Sequence, residues 1–304
     1  MKKNLFVLIG PAGVGKSTYI ANHKQQNDVV VSSDEIRKEL KSIDQSNSLV
    51  FDQMQVDAIA NHNNNVFYDA TNLTRKYRIP LYNKMKTYFH VVAVFLYKPL
   101  ETVLKNNKNR TAIVPEEVVV RMYKSIEVPR LGVDCDEIFV VNQNINDFNE
   151  EINATINQPH FSPWHAETLQ EHIDLCVENA GDDPILIELA KYHDLGKSIC
   201  RINAKITNED KQKFFDTYHH YNQFISHDKV SAAIYLVRVG NDINNDKNKQ
   251  DILETIFQHM HVHLKQISEK TIKRNKLDSN LLELMQRFAL LDDQSRVDNF
   301  VHSL

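Results

Sequence analysis

The sequence predicts an α/β domain, a parallel sheet with helices on both faces, followed by an all-α domain. Three observations carry this. Leu5-Phe6-Val7-Leu8-Ile9 runs straight into Gly10-Pro11-Ala12-Gly13-Val14-Gly15-Lys16-Ser17-Thr18, the order strand, glycine loop, helix. Short apolar runs alternating with helical patterns recur as far as residue 141, as a parallel sheet requires. Beyond residue 160 the pattern is helical, with few β-rich runs. A length of 304 residues suits two domains, placed here at 1–150 and 151–304.

The first loop fits G-x-x-x-x-G-K-[ST] at every position. Gly10, Gly13 and Gly15 let the backbone curl so that its N–H groups face phosphate oxygens. The helix that follows, 16–24, adds its positive N-terminal end around Ser17 and Thr18. Lys16 is placed to reach the β- and γ-phosphates and Ser17 to ligand Mg²⁺. These residues predict binding of ATP, or another nucleoside triphosphate, with Mg²⁺.

The remaining elements of the first half follow in order. Residues 28–33 read as a buried strand ending in a polar turn, and Asp34-Glu35-Ile36-Arg37 opens a helix. Ligands bind at the carboxyl ends of strands in such sheets. Asp34 can there accept the proton of an attacking hydroxyl, and Arg37, one turn on, can clamp a phosphate of the acceptor. Capping by Ser33 or Asp34 beside a solvated Arg37 is the alternative. Residues 44–65 read as helix plus loop. Val66-Phe67-Tyr68 is a strand, and Asp69 at its end suits the Mg²⁺ shell or the acceptor, while Thr71 and Asn72 also suit helix capping. A strand over 91–97 and a helix over 100–108 precede a basic turn with Lys105, Lys108 and Arg110, then a helix from Pro115 through Tyr123. Two helices around a basic turn suit a lid whose arginine stabilises charge on a transferring phosphoryl group. A last strand spans 137–141, and 143–160 reads as terminal helix and linker.

These pieces resemble the phage-type 5′-hydroxyl polynucleotide kinases. The likeness rests on GPAGVGKST, Ser33-Asp34-x-x-Arg37, Asp69-Ala70-Thr71-Asn72-Leu73 with Arg78, and Val114-Pro115 followed by Arg121-Met122-Tyr123-Lys124-Ser125. It implies that Asp34 is the general base on the 5′-OH, that Arg37 holds the acceptor's phosphate, and that a lid arginine contacts the donor phosphates. The lid here reads Lys108-Asn109-Arg110, which places Arg110 one position from the family's pattern.

The second half is acidic and rich in histidine. Residues 1–150 hold 19 Lys+Arg against 17 Asp+Glu, whereas 151–304 hold 17 against 23, and 11 of 14 histidines lie in the second half. Such a balance points to a metal site ahead of a general nucleic-acid surface. His165 and His172 share a helix face, an apolar helix over 185–192 runs into His193-Asp194-Leu195-Gly196-Lys197, and His227 follows. His259, His261 and His263 lie on one helix, and Asp292 and Asp293 end another, 281–291. Adjacent imidazole and carboxylate can share one metal or bridge two, and such ligands suit Mn²⁺, Fe²⁺, Co²⁺, Ni²⁺ or Zn²⁺.

The series resembles the HD phosphohydrolase superfamily, in the style of HD domains attached to tRNA-processing enzymes. The likeness implies one divalent metal on His172, His193, Asp194 and Asp292, a second on His227 and His259, and Lys197 on the substrate phosphate. Asp292 is preferred to Asp293 because Asp292-x-x-x-Arg296 keeps the family spacing, and His261 competes with His259. His165 is read as either a support for a ligand or a substrate contact.

Other classes are excluded by composition. No apolar run nears the roughly 18 residues of a membrane span. Residues 1–9 are too short for a secretory signal. Cys135, Cys176 and Cys200 are odd in number and scattered, which fits a reducing cytoplasm. The expectation is therefore a cytoplasmic end-healing enzyme. It phosphorylates 5′-OH ends and clears 3′-phosphates or 2′,3′-cyclic phosphates on RNA or DNA, with a separate RNA ligase as a partner and no membrane contact. The rival is a nucleoside kinase fused to an HD nucleotide phosphohydrolase or sensor.

Overall fold

The computed structural model describes residues 2–40, 47–162, 165–203, 207, 209–263 and 267–297. Residues 44–46, the start of the stretch read as helix plus loop, lie outside them. The chain divides into two compact units, 1–143 with 239–245, and 144–238 with 246–304.

The first unit is a P-loop α/β domain. Its strands are β1 (Lys3–Ile9), β2 (Val29–Ser32), β3 (Val66–Asp69), β4 (Phe89–Phe95) and β5 (Glu137–Val140). They form one parallel sheet in the order β2-β3-β1-β4-β5. The helices are α1 (Lys16–His23), α2 (Ser33–Glu39), α3 (Asn47–Ala60), α4 (Arg75–Met85), α5 (Leu100–Lys108) and α6 (Glu116–Lys124). Strand alternation sorts the core. Leu5, Val7, Val31, Val66, Tyr68 and Val91 pack against Ile36 of α2, Val50 and Met54 of α3, and Leu81 and Met85 of α4. On the other face Phe6 stacks on Phe67 at 4.9 Å between ring centroids, and Tyr19 of α1 lies near Phe139 of β5. The ends of β1, β2 and β3 therefore lie side by side and bring Gly10, Asp34 and Asp69 to one edge of the sheet.

The sequence pattern does not announce α4, because Pro80 sits inside it and its first turn is basic. Tertiary contacts hold it instead. Arg75 and Arg78 are buried on α4. Arg78 pairs with Asp134 at 2.8 Å and donates to the carbonyls of Asn72 and Glu127. Arg75 Nε donates to the Val128 carbonyl. Arg78 is thus a fold residue. Breaking this pair leaves a buried unpaired charge, so Asp134→Asn is expected to cost about 3–5 kcal/mol in a urea melt.

The outer edge of β5 is closed by a 3₁₀ turn, Gly240–Asn244, that comes from far along the chain. Asn244 accepts from the Ile138 N–H and donates to the Ile138 carbonyl, both at 2.8 Å, and Asn241 accepts from the Val140 N–H. Two side-chain amides thereby stand in for a neighbouring strand.

The second unit is mostly helical: α7 (Asn149–Asn153), α8 (Leu169–Asn179), α9 (Pro184–Tyr192), α10 (Lys197–Cys200), α11 (Glu209–Tyr218), α12 (His227–Val239), α13 (Lys247–His263), α14 (Glu269–Asn275) and α15 (Ser279–Gln294). A two-residue antiparallel pair, Ile202–Asn203 with Asn222–Gln223, departs from an all-α reading. Local signals start the main helices. Thr168 and Glu171 form a capping box on α8, and Asp183 caps α9 ahead of Pro184. The core is built from Ile173 and Cys176 of α8, Leu189 of α9, Ile256 of α13 and Phe288 of α15.

Candidate functional sites

In the first unit a cleft of 1340 Å³ is lined by Gly13, Gly15, Lys16, Ser17, Thr18, Asp34, Arg37, Asp69 and Arg110, so the structure brings these predicted residues together. Gly10 does not line it, but its carbonyl, with that of Pro11, accepts from Lys16 Nζ at 2.9 Å. Gly13 has φ +85°, and a Cβ there would meet the Val103 carbonyl of α5 at 2.4 Å. The loop can therefore turn and α5 can dock on it only with glycine at this position.

Burial lowers the Lys16 pKa to about 8, opposed by Asp69 and joined by Arg110. Burial raises that of Asp69. A triphosphate needs the charged lysine, so nucleotide affinity is expected to fall as pH rises through about 8, roughly tenfold per unit. Lys16→Met should bind more weakly and without this pH dependence, as isothermal titration would read.

Asp34 sits in the first turn of α2, which the Ser32 hydroxyl caps. Its side chain is 71% exposed and lies 3.5 Å from Arg37 Nη1. Arg37 also donates to Asn47 at 2.9 Å. The cap is therefore Ser32, where the alternative reading had Ser33 or Asp34, and both Asp34 and Arg37 line the cleft. The sequence did not single out Asn107. Its amide donates to the Val114 carbonyl and accepts from the Val114 N–H, which closes the turn that carries Arg110.

In the second unit the predicted ligands meet in one buried cluster. Asp194 stands at its centre. Its Oδ2 lies 3.3 Å from His193 Nε2 and 3.6 Å from His172 Nε2. Its Oδ1 lies 3.1 Å from His227 Nε2 and 3.7 Å from His259 Nε2. Asp292 Oδ1 reaches His172 Nε2 at 3.0 Å and His193 Nε2 at 3.6 Å. Asp293 is 56% exposed and pairs with Arg296. Lys197 Nζ is 2.6 Å from Asp194 and 3.1 Å from His165 Nε2. Gly196 is required by close approach, since a Cβ would meet the His227 carbonyl at 2.3 Å.

The donor set fits divalent metal. The Nδ1 atoms of His193, His227 and His259 lie 2.7–3.1 Å from the carbonyls of Ala190, Phe224 and Ile256, so each donates there and leaves Nε2 its lone pair. Those lone pairs converge. His172 and His193 Nε2 are 3.3 Å apart, and His227 and His259 Nε2 are 3.1 Å apart. Asp292 Oδ1 is buried without a hydrogen bond of sound geometry. Burial opposes charge on His193, yet Asp194 and Asp292 raise its pKa to about 10. Burial likewise works against charge on both aspartates, but Lys197, His193 and His227 hold Asp194, and His172, His193 and His263 hold Asp292, well below the usual carboxylate range. A bound metal would take the place of the protons these groups hold, so its affinity is expected to rise with pH.

Three residues support the cluster: the sequence analysis did not single out Glu167, and it named His263 and Arg296 without this role. Glu167 Oε1 accepts from His165 Nδ1 at 2.6 Å and lies 3.4 Å from His172 Nδ1. His263 Nε2 lies 2.6 Å from Asp292 Oδ2, and Arg296 lies 3.2 Å from the same oxygen. Burial, with Lys197 alongside, lowers the His165 pKa to about 4 and keeps that ring neutral.

Residues 5–129 match a family described as AAA domain. The chain is 24% identical over 231 residues to the L-seryl-tRNA(Sec) kinase of Methanococcus maripaludis, covering 68% of this chain and 83% of that one. Among solved structures, a chain of the Pnkp1/Rnl/Hen1 RNA repair complex aligns at TM-score 0.36 and 17% identity, over 41% of this chain and 44% of that one. A gluconokinase from Sinorhizobium meliloti aligns at TM-score 0.33 and 20% identity, over 46% and 84%. Among the described residues, no helix is long and apolar enough to cross a membrane.

Proposed function

We propose that the first unit is an ATP-dependent kinase of 5′-hydroxyl ends in RNA or DNA. The second unit is then a metal-dependent phosphohydrolase that removes a 3′-phosphate or opens a 2′,3′-cyclic phosphate. The observation that carries the reading is the Asp34–Arg37 pair in the same cleft as Lys16 and the phosphate loop. A nucleotide-binding ATPase has no use for a solvent-facing carboxylate beside a phosphate clamp. A kinase of a phosphorylated acceptor uses both.

Asp34 takes the proton as the 5′ oxygen forms a bond to the γ-phosphorus, and the bond from that phosphorus to the β–γ bridging oxygen breaks to release ADP. Lys16 and Arg110 offset the charge on the moving phosphoryl group. Arg37 leaves its contact with Asp34 for the acceptor's phosphate. Ser17 and Asp69 would hold Mg²⁺. In the second unit His172, His193, Asp194 and Asp292 would hold one metal, and His227 and His259 with Asp194 a second. Such metal, when bound, supplies a water of lowered pKa and neutralises phosphate charge. Lys197 holds a phosphate oxygen. The relative named as a tRNA kinase supports phosphoryl transfer and, by its name, an RNA-linked acceptor.

One reaction tests both halves. A short RNA with 5′-OH and 3′-phosphate is incubated with ATP, Mg²⁺ and a panel of Mn²⁺, Ni²⁺, Co²⁺, Fe²⁺ and Zn²⁺, and both ends are read by mass. Gain of a 5′-phosphate and loss of the 3′-phosphate is expected, and the products should be substrates for a separate RNA ligase. An unchanged RNA, with ATP consumed on free nucleosides, would replace this reading with a small-molecule kinase.

A further inference from the structure

The kinase cleft is larger than a nucleotide needs. Its 1340 Å³ exceeds the roughly 300–1,000 Å³ usual for a small-molecule site. Beyond the phosphate loop, Asp34 and Arg37, it is lined by Phe51 of α3 and by Lys76 and Tyr77 of α4. Tyr77 is 64% exposed, and among the described residues it is the one largely exposed large apolar side chain in the lining. Lys76 Nζ lies 5.6 Å from the Tyr77 ring centroid. An aromatic ring beside a cation, both open to solvent inside a concave site, is the arrangement that holds a base and its backbone phosphate.

The first turn of α4 explains how these two residues are presented. Arg75 and Arg78 on either side point inward and are locked to Val128, Asp134 and the Asn72 and Glu127 carbonyls. Lys76 and Tyr77 lie between them on the opposite side of the turn. The buried arginines fix the helix start, so the exposed pair faces the cleft from rigid backbone. Without that clamp a basic turn broken by Pro80 would have little reason to hold its shape.

We infer that Lys76 and Tyr77 form a subsite for the acceptor strand, with Tyr77 stacking on a base and Lys76 pairing with a phosphodiester of single-stranded RNA or DNA. The inference rests on the kinase reading above and deepens it. It commits the acceptor to a polynucleotide.

The experiment measures KM for a 5′-OH hexanucleotide at saturating ATP, across a salt series, for the wild-type protein and for Tyr77→Ala, Tyr77→Trp and Lys76→Ala. Loss of one stacked base should raise the hexanucleotide KM by roughly 5- to 100-fold in Tyr77→Ala. Tyr77→Trp should restore it. Lys76→Ala should reduce the slope of log KM against log salt by about 0.7, one counterion on a single strand. A hexanucleotide phosphorylated with the same KM and salt slope in all variants would overturn the subsite and leave the kinase reading standing. A wild-type protein that phosphorylates no polynucleotide would overturn both. A KM for ATP that rose together with that for the acceptor would assign Tyr77 to the nucleotide and also overturn the subsite.

Discussion

Replacing Asp34 with alanine is expected to lower 5′-phosphorylation by roughly 10²–10⁴, the usual contribution of a positioned base. ATP binding should survive, because the phosphate loop and Lys16 are unaltered. The 71% exposure of the side chain means that the fold should survive as well. Single-turnover transfer measured beside ATP titration separates these effects. If transfer and ATP affinity fell in step, Asp34 would be a nucleotide ligand and the assignment of the base would be wrong. Release of 3′-phosphate should be unchanged, since Asp34 belongs to the first unit and the histidine cluster to the second.

Loss of Asp194 should have the other large effect. One of its oxygens faces His172 and His193 and the other faces His227 and His259, so a single carboxylate serves both halves of the cluster. Asp194→Ala is expected to abolish bound divalent metal and with it phosphate release. The fall should exceed the roughly 10–100-fold that removing an outer support brings, which is the expectation for Glu167→Gln. Lys197 would also be left buried without its 2.6 Å partner, so destabilisation is expected alongside. His227→Ala guards against that ambiguity. It should keep the fold and the metal at His172, His193 and Asp292 while losing the other, which elemental analysis of the purified protein would read as a drop in stoichiometry. Kinase activity should persist in all three variants.

The split between what could and could not be read in the sequence follows the range of the interactions. The phosphate loop is local. Its glycines, lysine and flanking strand are contiguous, and the carboxylates at the ends of β2 and β3 follow from sheet logic. In the second half the His-Asp doublet is also local, and Asp292 is preferred to Asp293 because its spacing to Arg296 is the one kept by the family that the sequence resembles. The structure places Asp292 in the cluster and leaves Asp293 at the surface. By contrast, α4 depends on Arg78 reaching Asp134, 56 positions away, and nothing in its own composition signals that. Glu167 supports His172 because α8 begins where its capping box places it. His263 joins Asp292 because α13 packs along α15. Asn241 and Asn244 carry no signal of their own in the sequence, since their role depends on a strand more than a hundred positions earlier.

That last pair bears on how the protein is made. On the ribosome, β5 is complete once residue 140 has emerged, yet the amides that border it arrive only with residues 241 and 244. Through much of synthesis the nascent sheet carries an open margin, the kind of edge that recruits foreign strands. The first unit to appear is therefore finished late, by a segment delivered after most of the second has been translated.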